Sequence, residues 1–87
     1  MKDYEGKTIW IIGASSGIGY ALAQELSSRG ASLILSARNL GALKILNASI
    51  GNQHSVAPFD IADQSKFTDV FASLKDFPID SVIYLAA

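Results

Sequence analysis

Thr8-Ile9-Trp10-Ile11-Ile12-Gly13-Ala14-Ser15-Ser16-Gly17-Ile18-Gly19 is the stretch on which the reading of this chain turns. Its first five residues are mostly β-branched or aromatic, with no polar alternation. That pattern predicts a strand buried on both faces, as in a parallel sheet. Three glycines follow, and from Gly17 to Arg29 the periodicity becomes helical. Ile18, Ala21, Leu22 and Leu26 are expected on one face, with Gln24, Ser27 and Ser28 on the other. A glycine-rich turn between a buried strand and a helix start suits an anion, because backbone N–H groups and the positive end of the helix dipole converge there. Each glycine has its own expected part. Gly13 allows the tight turn, Gly17 lets a phosphate approach the backbone, and Gly19 lets the helix pack closely on the strand. A turn without a ligand is the alternative, but a strand before the loop and a helix after it favour the anion site.

The remaining elements are read outward from this loop. Gly30 closes the first helix, and Ala31 to Ser36 is a second buried strand. Asn39 caps a second helix carrying Leu40, Leu43, Leu46 or Asn47, and Ile50, closed by Gly51. His54 to Phe59 is a weaker third strand, ended by Pro58. Asp63 caps a third helix with Phe67, Val70, Phe71 and Leu74 along one face, and Asp76-Phe77-Pro78 breaks it. Ser81 to Leu85 is a fourth strand. The order β-α-β-α-β-α-β predicts parallel pairing with right-handed crossovers. The expected fold class is α/β, a Rossmann-type doubly wound parallel sheet in the order 3-2-1-4, left incomplete. Its first and second helices are expected on opposite faces of the sheet.

Composition narrows the setting. The 87 residues form one domain, 1–87, with 49% apolar and 17% charged residues. Soluble domains average about 25% charged residues, so part of this surface is expected to be covered, either by a partner or by more of the same chain. An N-terminal part of a longer fold, associating as a homo-oligomer, is the reading. A net charge of -1 gives no general attraction to nucleic acid or to an anionic membrane. There is no cysteine, hence no disulfide framework or thiolate chemistry. The start, Met1 to Lys7, is polar and lacks a signal-peptide pattern. No apolar run approaches the ~20 residues of a membrane span. These features point to a cytoplasmic protein.

The spacing Gly13-x-x-x-Gly17-x-Gly19, with the Ser15-Ser16 pair inside it, resembles the cofactor loop of the short-chain dehydrogenase/reductase family. The resemblance covers the whole chain. Ile12 departs from it, standing where the family usually has threonine. The resemblance implies that Gly13, Ser15, Ser16, Gly17, Ile18 and Gly19 hold a nicotinamide dinucleotide. It also implies that the Asp60-Ile61 pair after the third strand holds the adenine, and that Leu85-Ala86-Ala87 falls where the family has Asn-Ala-Gly at the end of the fourth strand, with Ala86 the one match and Ala86 and Ala87 expected at the cofactor. The run Val82 to Ala87 is nearer in wording to the epimerase-like extended branch.

The choice of cofactor is read at the end of the second strand. An NAD site places Asp or Glu about 20 residues after the loop, to bind the ribose hydroxyls. Here Ala37 stands in that place and Arg38 follows. A guanidinium can bind a 2′-phosphate with paired, charge-assisted hydrogen bonds, so NADP(H) is expected over NAD(H). A solvated arginine, or one stacked on adenine, is the alternative. Ser15 and Ser16 are either phosphate donors or caps of the loop.

Catalytic residues are not found in this chain. The resemblance implies a tyrosine followed four residues later by lysine, a pair that tunes a proton donor. Tyr4, Tyr20 and Tyr84 have no such partner, and Tyr20 and Tyr84 are expected to be packing residues. His54 is expected at the surface. Asp60, Asp63, Asp69, Asp76 and Asp80 form no metal-ligand pattern. The function implied is hydride transfer between NADP(H) and a carbonyl or alcohol substrate, with the catalytic half outside this chain. The alternatives are a non-catalytic NADP(H)-binding module and a nucleotide-sugar epimerase or dehydratase.

Overall fold

A computed structural model describes residues 3–14, 17–60, 62–74 and 78–85. Four parallel strands alternate with three helices. The strands are β1 (Thr8–Ile12), β2 (Ser32–Ser36), β3 (Ser55–Val56) and β4 (Ser81–Tyr84). The helices are α1 (Gly17–Ser28), α2 (Leu40–Ser49) and α3 (Gln64–Leu74). The sheet order is β3-β2-β1-β4, with β1 paired in parallel to β2 and to β4, and β2 to β3. β3 is shorter than the sequence suggests, but its pairing direction continues past Val56. Ala57 N–H donates to the Leu35 carbonyl (2.9 Å) and Phe59 N–H to that of Ala37 (3.0 Å). Proline at 58 has no N–H to add to this series.

Alternation of side chains across the strands divides the core in two. Ile9, Ile11, Leu33 and Leu35 point to one face, where Ala23 and Leu26 of α1 and Leu43 and Leu46 of α2 cover them. Trp10, Ile12 and Ile34 point to the other, where Phe59 joins them and Phe67, Val70 and Leu74 of α3 pack on top. The first and second helices therefore share a face, against the expectation of opposite faces. Right-handed crossovers explain it. The chain steps in one direction from β1 to β2 to β3, so both connections fall on the same side. It reverses direction only from β3 to β4, which puts α3 on the other side.

The buried stripe of α1 also differs from the periodic reading. It is Gly19, Ala23 and Leu26, while Ile18 is 75% exposed and Ala21 is exposed. Small residues set this stripe. Ala23 packs on the sheet and Gly19 on the backbone of Gly13 and Ala14, and the larger Ile18 is turned away. On α2 and α3, Leu40 and Phe71 are exposed as well.

The helix ends follow local chemistry. α1 closes in a Schellman motif, with Gly30 N–H on the Ser27 carbonyl (3.0 Å), Ala31 N–H on the Leu26 carbonyl (3.1 Å) and Gly30 at φ +92°. Asn39 caps α2 through its side-chain oxygen, which accepts from Ala42 N–H at 3.0 Å. Asp63 caps α3, accepting from Lys66 N–H at 3.3 Å and from the Ser65 hydroxyl at 2.7 Å. The Ser65 hydroxyl and then the Lys66 N–H hold its carboxyl below the usual aspartate value. Asp76 and Phe77, expected to break α3, lie outside the described residues.

Candidate functional site

The glycine loop leaves β1 at its carboxyl end and is tied to the end of β2. The Ser36 carbonyl accepts two N–H groups from it, Gly13 at 2.7 Å and Ala14 at 3.0 Å. Gly13 has φ +94°, and a Cβ there would lie 2.6 Å from the Leu85 carbonyl oxygen. Both the turn and the closeness of the chain after β4 require glycine. A Cβ on Gly19 would collide with the Gly13 carbonyl oxygen and lie 2.9 Å from Ala14 Cα. Gly19 thus lets the helix pack on its own loop, rather than on the strand as the sequence reading had it. Gly17 is different. A Cβ there meets nothing within 4 Å among the described residues, so the space beside it is open. Ile18, next to it, projects into solvent at 75% exposure. Two of the three glycines answer to the protein's own packing, and one faces room for a ligand.

Arg38 follows directly on the buried Ala37 (8% exposed) and is itself exposed. Its guanidinium has no hydrogen-bond or ion-pair partner among the described residues. Arg29 makes the contrast: Asp3 holds it at 2.7 Å and Glu25 at 2.8 Å. The Glu25 contact, then the field of the same carboxylate, raises its pKa further. Asp60 is half-buried after β3, and its carboxylate accepts from Ala62 N–H at 3.0 Å. Ser15, Ser16, Ile61, Ala86 and Ala87 lie outside the described residues. The structure brings Gly13, Gly17, Gly19 and Arg38 to the carboxyl end of the sheet, beside β1 and β2, where open α/β sheets carry their ligands.

Two residues stand where the sequence reading did not put them. Tyr84 is 53% exposed instead of packed. With Ile12, Gln64, Phe67, Thr68 and Val82 it lines an apolar cleft of about 490 Å³ on the α3 face. Among the described residues, none of those expected at the cofactor lines that cleft. His54 is half-buried instead of at the surface. Leu33 N–H donates to its Nδ1 at 3.0 Å, which places the ring proton on Nε2, 3.1 Å from the Ser27 hydroxyl. Asn47 binds the same residue's backbone twice, accepting from His54 N–H and donating to its carbonyl, both at 3.1 Å. Burial lowers the His54 pKa, and the Ile50 carbonyl works weakly the other way. This cluster joins α1, α2 and β2 at the amino end of the sheet, away from the glycine loop. A lone histidine before a strand carries no sequence signal for it; the Asn47 to His54 spacing across a glycine turn is the only hint.

Among the described residues, no group of three or more His, Cys, Asp or Glu could hold a metal ion. No helix among them is long and apolar enough to cross a membrane.

The family model for short chain dehydrogenases matches residues 7–86. The chain belongs to that family. Among its relatives, a 3-oxoacyl-[acyl-carrier-protein] reductase of Rickettsia typhi is 30% identical over 79 residues, covering 91% of this chain and 33% of the relative. A fatty acyl-CoA reductase of Acinetobacter baylyi is 37% identical over 67 residues, covering 74% of this chain and 23% of the relative. The solved structure of L-sorbose reductase from Gluconobacter frateurii, complexed with NADPH and L-sorbose, superposes with a TM-score of 0.86 at 27% identity. The match takes in 99% of this chain and 35% of that one. This short chain dehydrogenase chain thus spans about a third of the length of the curated oxidoreductases it resembles.

Proposed function

We propose that this chain is the dinucleotide-binding part, residues 1–87, of an NADP(H)-dependent short chain dehydrogenase acting on a carbonyl or alcohol substrate. The observation that carries the reading is the pairing of Gly17 with Arg38. Gly17 has open space where a side chain would stand. Arg38, two residues past the end of β2, is an exposed cation without a partner among the described residues. The residues fit the cofactor. The start of α1 offers amide donors to the pyrophosphate, Arg38 offers a forked cation to a 2′-phosphate, and buried Ala37 leaves no carboxylate to repel it. Ser15, Ser16, Asp60, Ile61, Ala86 and Ala87 complete the proposed contacts. When bound, the nicotinamide supplies or accepts the hydride. The residues of this chain hold and orient it; the proton donor and the substrate pocket belong to the rest of the fold. A cytoplasmic setting and a homo-oligomer are part of the same proposal.

Titration of NADPH and NADH against the wild type, Arg38→Ala and Ala37→Asp tests this. Charge-assisted hydrogen bonds contribute about 1.5–3 kcal/mol each, so Arg38→Ala weakens NADPH about tenfold or more and leaves NADH nearly unchanged. Ala37→Asp shifts preference toward NADH. Equal losses for both cofactors in Arg38→Ala would remove Arg38 as the reader of the phosphate.

A further inference from the structure

Ser36 is the last residue of β2, with no exposed surface. Its carbonyl holds Gly13 and Ala14 of the glycine loop. Its hydroxyl oxygen accepts the indole N–H of Trp10 at 2.8 Å. Trp10 is 1% exposed and lies in the aromatic cluster under α3, its ring centroid 6.3 Å from that of Phe59 and 6.1 Å from that of Phe67. Phe59 in turn donates its N–H to the Ala37 carbonyl and precedes Asp60. One residue therefore links the core to the glycine loop, and its chain neighbours are Ala37 and Arg38.

We infer that Ser36 is a positioning residue for the cofactor site, holding the glycine loop and the Ala37-Arg38 segment in register through its buried bond to Trp10. The inference rests on the reading of that loop as a dinucleotide site. Among the described residues, Ser36 is the one acceptor of the Trp10 indole N–H. A buried indole N–H that loses its acceptor has to move to find another. Trp10 lies three residues before Gly13 on β1, and across the sheet it meets the strand that carries Arg38. Ser36 itself touches neither cofactor nor substrate in this reading.

A double-mutant cycle on the full chain tests it, with NADPH as probe. Circular dichroism reports on the fold of every variant, because the two that lack Trp10, the only tryptophan, have no indole emission. Ser36→Ala weakens NADPH about fivefold or more, the size expected from one lost buried hydrogen bond. Ser36→Thr, which keeps the hydroxyl, restores binding to within about twofold. Trp10→Phe removes the donor, so Ser36→Ala adds no further loss in that background. If Ser36→Ala alone fails to fold, the double variant decides, and it binds NADPH as Trp10→Phe does. Wild-type affinity in a folded Ser36→Ala, or additive losses in the cycle, would overturn the positioning role while leaving the NADP(H) reading intact. A folded wild type that does not bind NADPH would overturn both.

Discussion

His54 offers the sharpest test of the packing beneath the site, because its neutral form alone fits its surroundings. Nδ1 must keep a lone pair for Leu33 N–H. Among the described residues no charged side chain acts on the ring; what meets it is the Ser27 hydroxyl from α1 and the Ile50 carbonyl after α2. His54→Ala strands the N–H of Leu33, a residue only 2% exposed. An unsatisfied buried donor costs about 1–3 kcal/mol. The Ser27 hydroxyl is part-buried and regains water, so about 2 kcal/mol is the expected loss near pH 7.5. For a domain of this size that lowers Tm by roughly 10 °C. The dependence on pH has a definite sign. Burial lowers the folded-state pKa below the unfolded value of about 6.5. The unfolded chain then binds the proton first, so the contribution is complete above that value and is lost as pH falls toward the folded-state pKa. Urea unfolding of wild type and variant from pH 8 to pH 5 reads this directly. The gap in stability narrows as pH falls, and carboxylates such as Asp63 cancel in the difference. A gap that stays constant over this range, or one below about 0.5 kcal/mol at pH 7.5, would refute the reasoning.

Two glycines separate room for a ligand from room for the backbone. Gly17→Val abolishes dinucleotide binding and leaves the fold in place by circular dichroism, since the added atoms enter open space; unchanged affinity would move the ligand elsewhere. Gly19→Ala instead forces the loop apart and costs about 1–3 kcal/mol in denaturant unfolding, and an unperturbed midpoint would show that the contact with Gly13 and Ala14 yields freely. Residues 1–87 alone turn over no carbonyl compound with NADPH, because no described group stands as a placed proton donor; cofactor-dependent turnover across a carbonyl panel would contradict this. The same 87 residues sediment as oligomers, since Val82 and Tyr84 expose apolar surface on β4, and a stable monomer would count against that view.

The order of elements and the glycine loop were legible because they rest on local patterns. Thr8 to Ile12 can only be a strand buried on both sides, and the change of period at Gly17 marks the helix start. The place of Arg38 just past β2 was legible for the same reason, through its distance from the loop, while its part in binding a phosphate remains a proposal. What stayed hidden depends on contacts distant in sequence. Periodicity put Ile18 inward, but α1 turns Ala23 to the sheet and Gly19 to the backbone of its own loop, and Ile18 faces out. The bond from Trp10 to Ser36 spans 26 residues and His54 to Leu33 spans 21. Neither pair has a spacing rule, because each follows from the register of parallel strands. Tyr84 was misplaced because a tyrosine in an apolar strand looks the same whether its outer face is covered or bare.

The pairing of β1 with β4 sets the timing of assembly during synthesis. Thr8 N–H donates to the Asp80 carboxylate and Asp80 N–H donates to the Thr8 carbonyl, both at 2.8 Å and 72 residues apart. The strand at the centre of the finished sheet therefore leaves the ribosome long before its second neighbour exists. At about 5–20 residues per second, the wait is roughly 4 to 14 seconds. In the later part of that interval, once Ser32–Ser36 has been made, Ile9 to Ile12 has β2 on one side and a bare row of amides and carbonyls on the other. A strand buried on both faces, with a neighbour on each side in the folded sheet, thus spends its first seconds as an edge, open to any extended chain that passes.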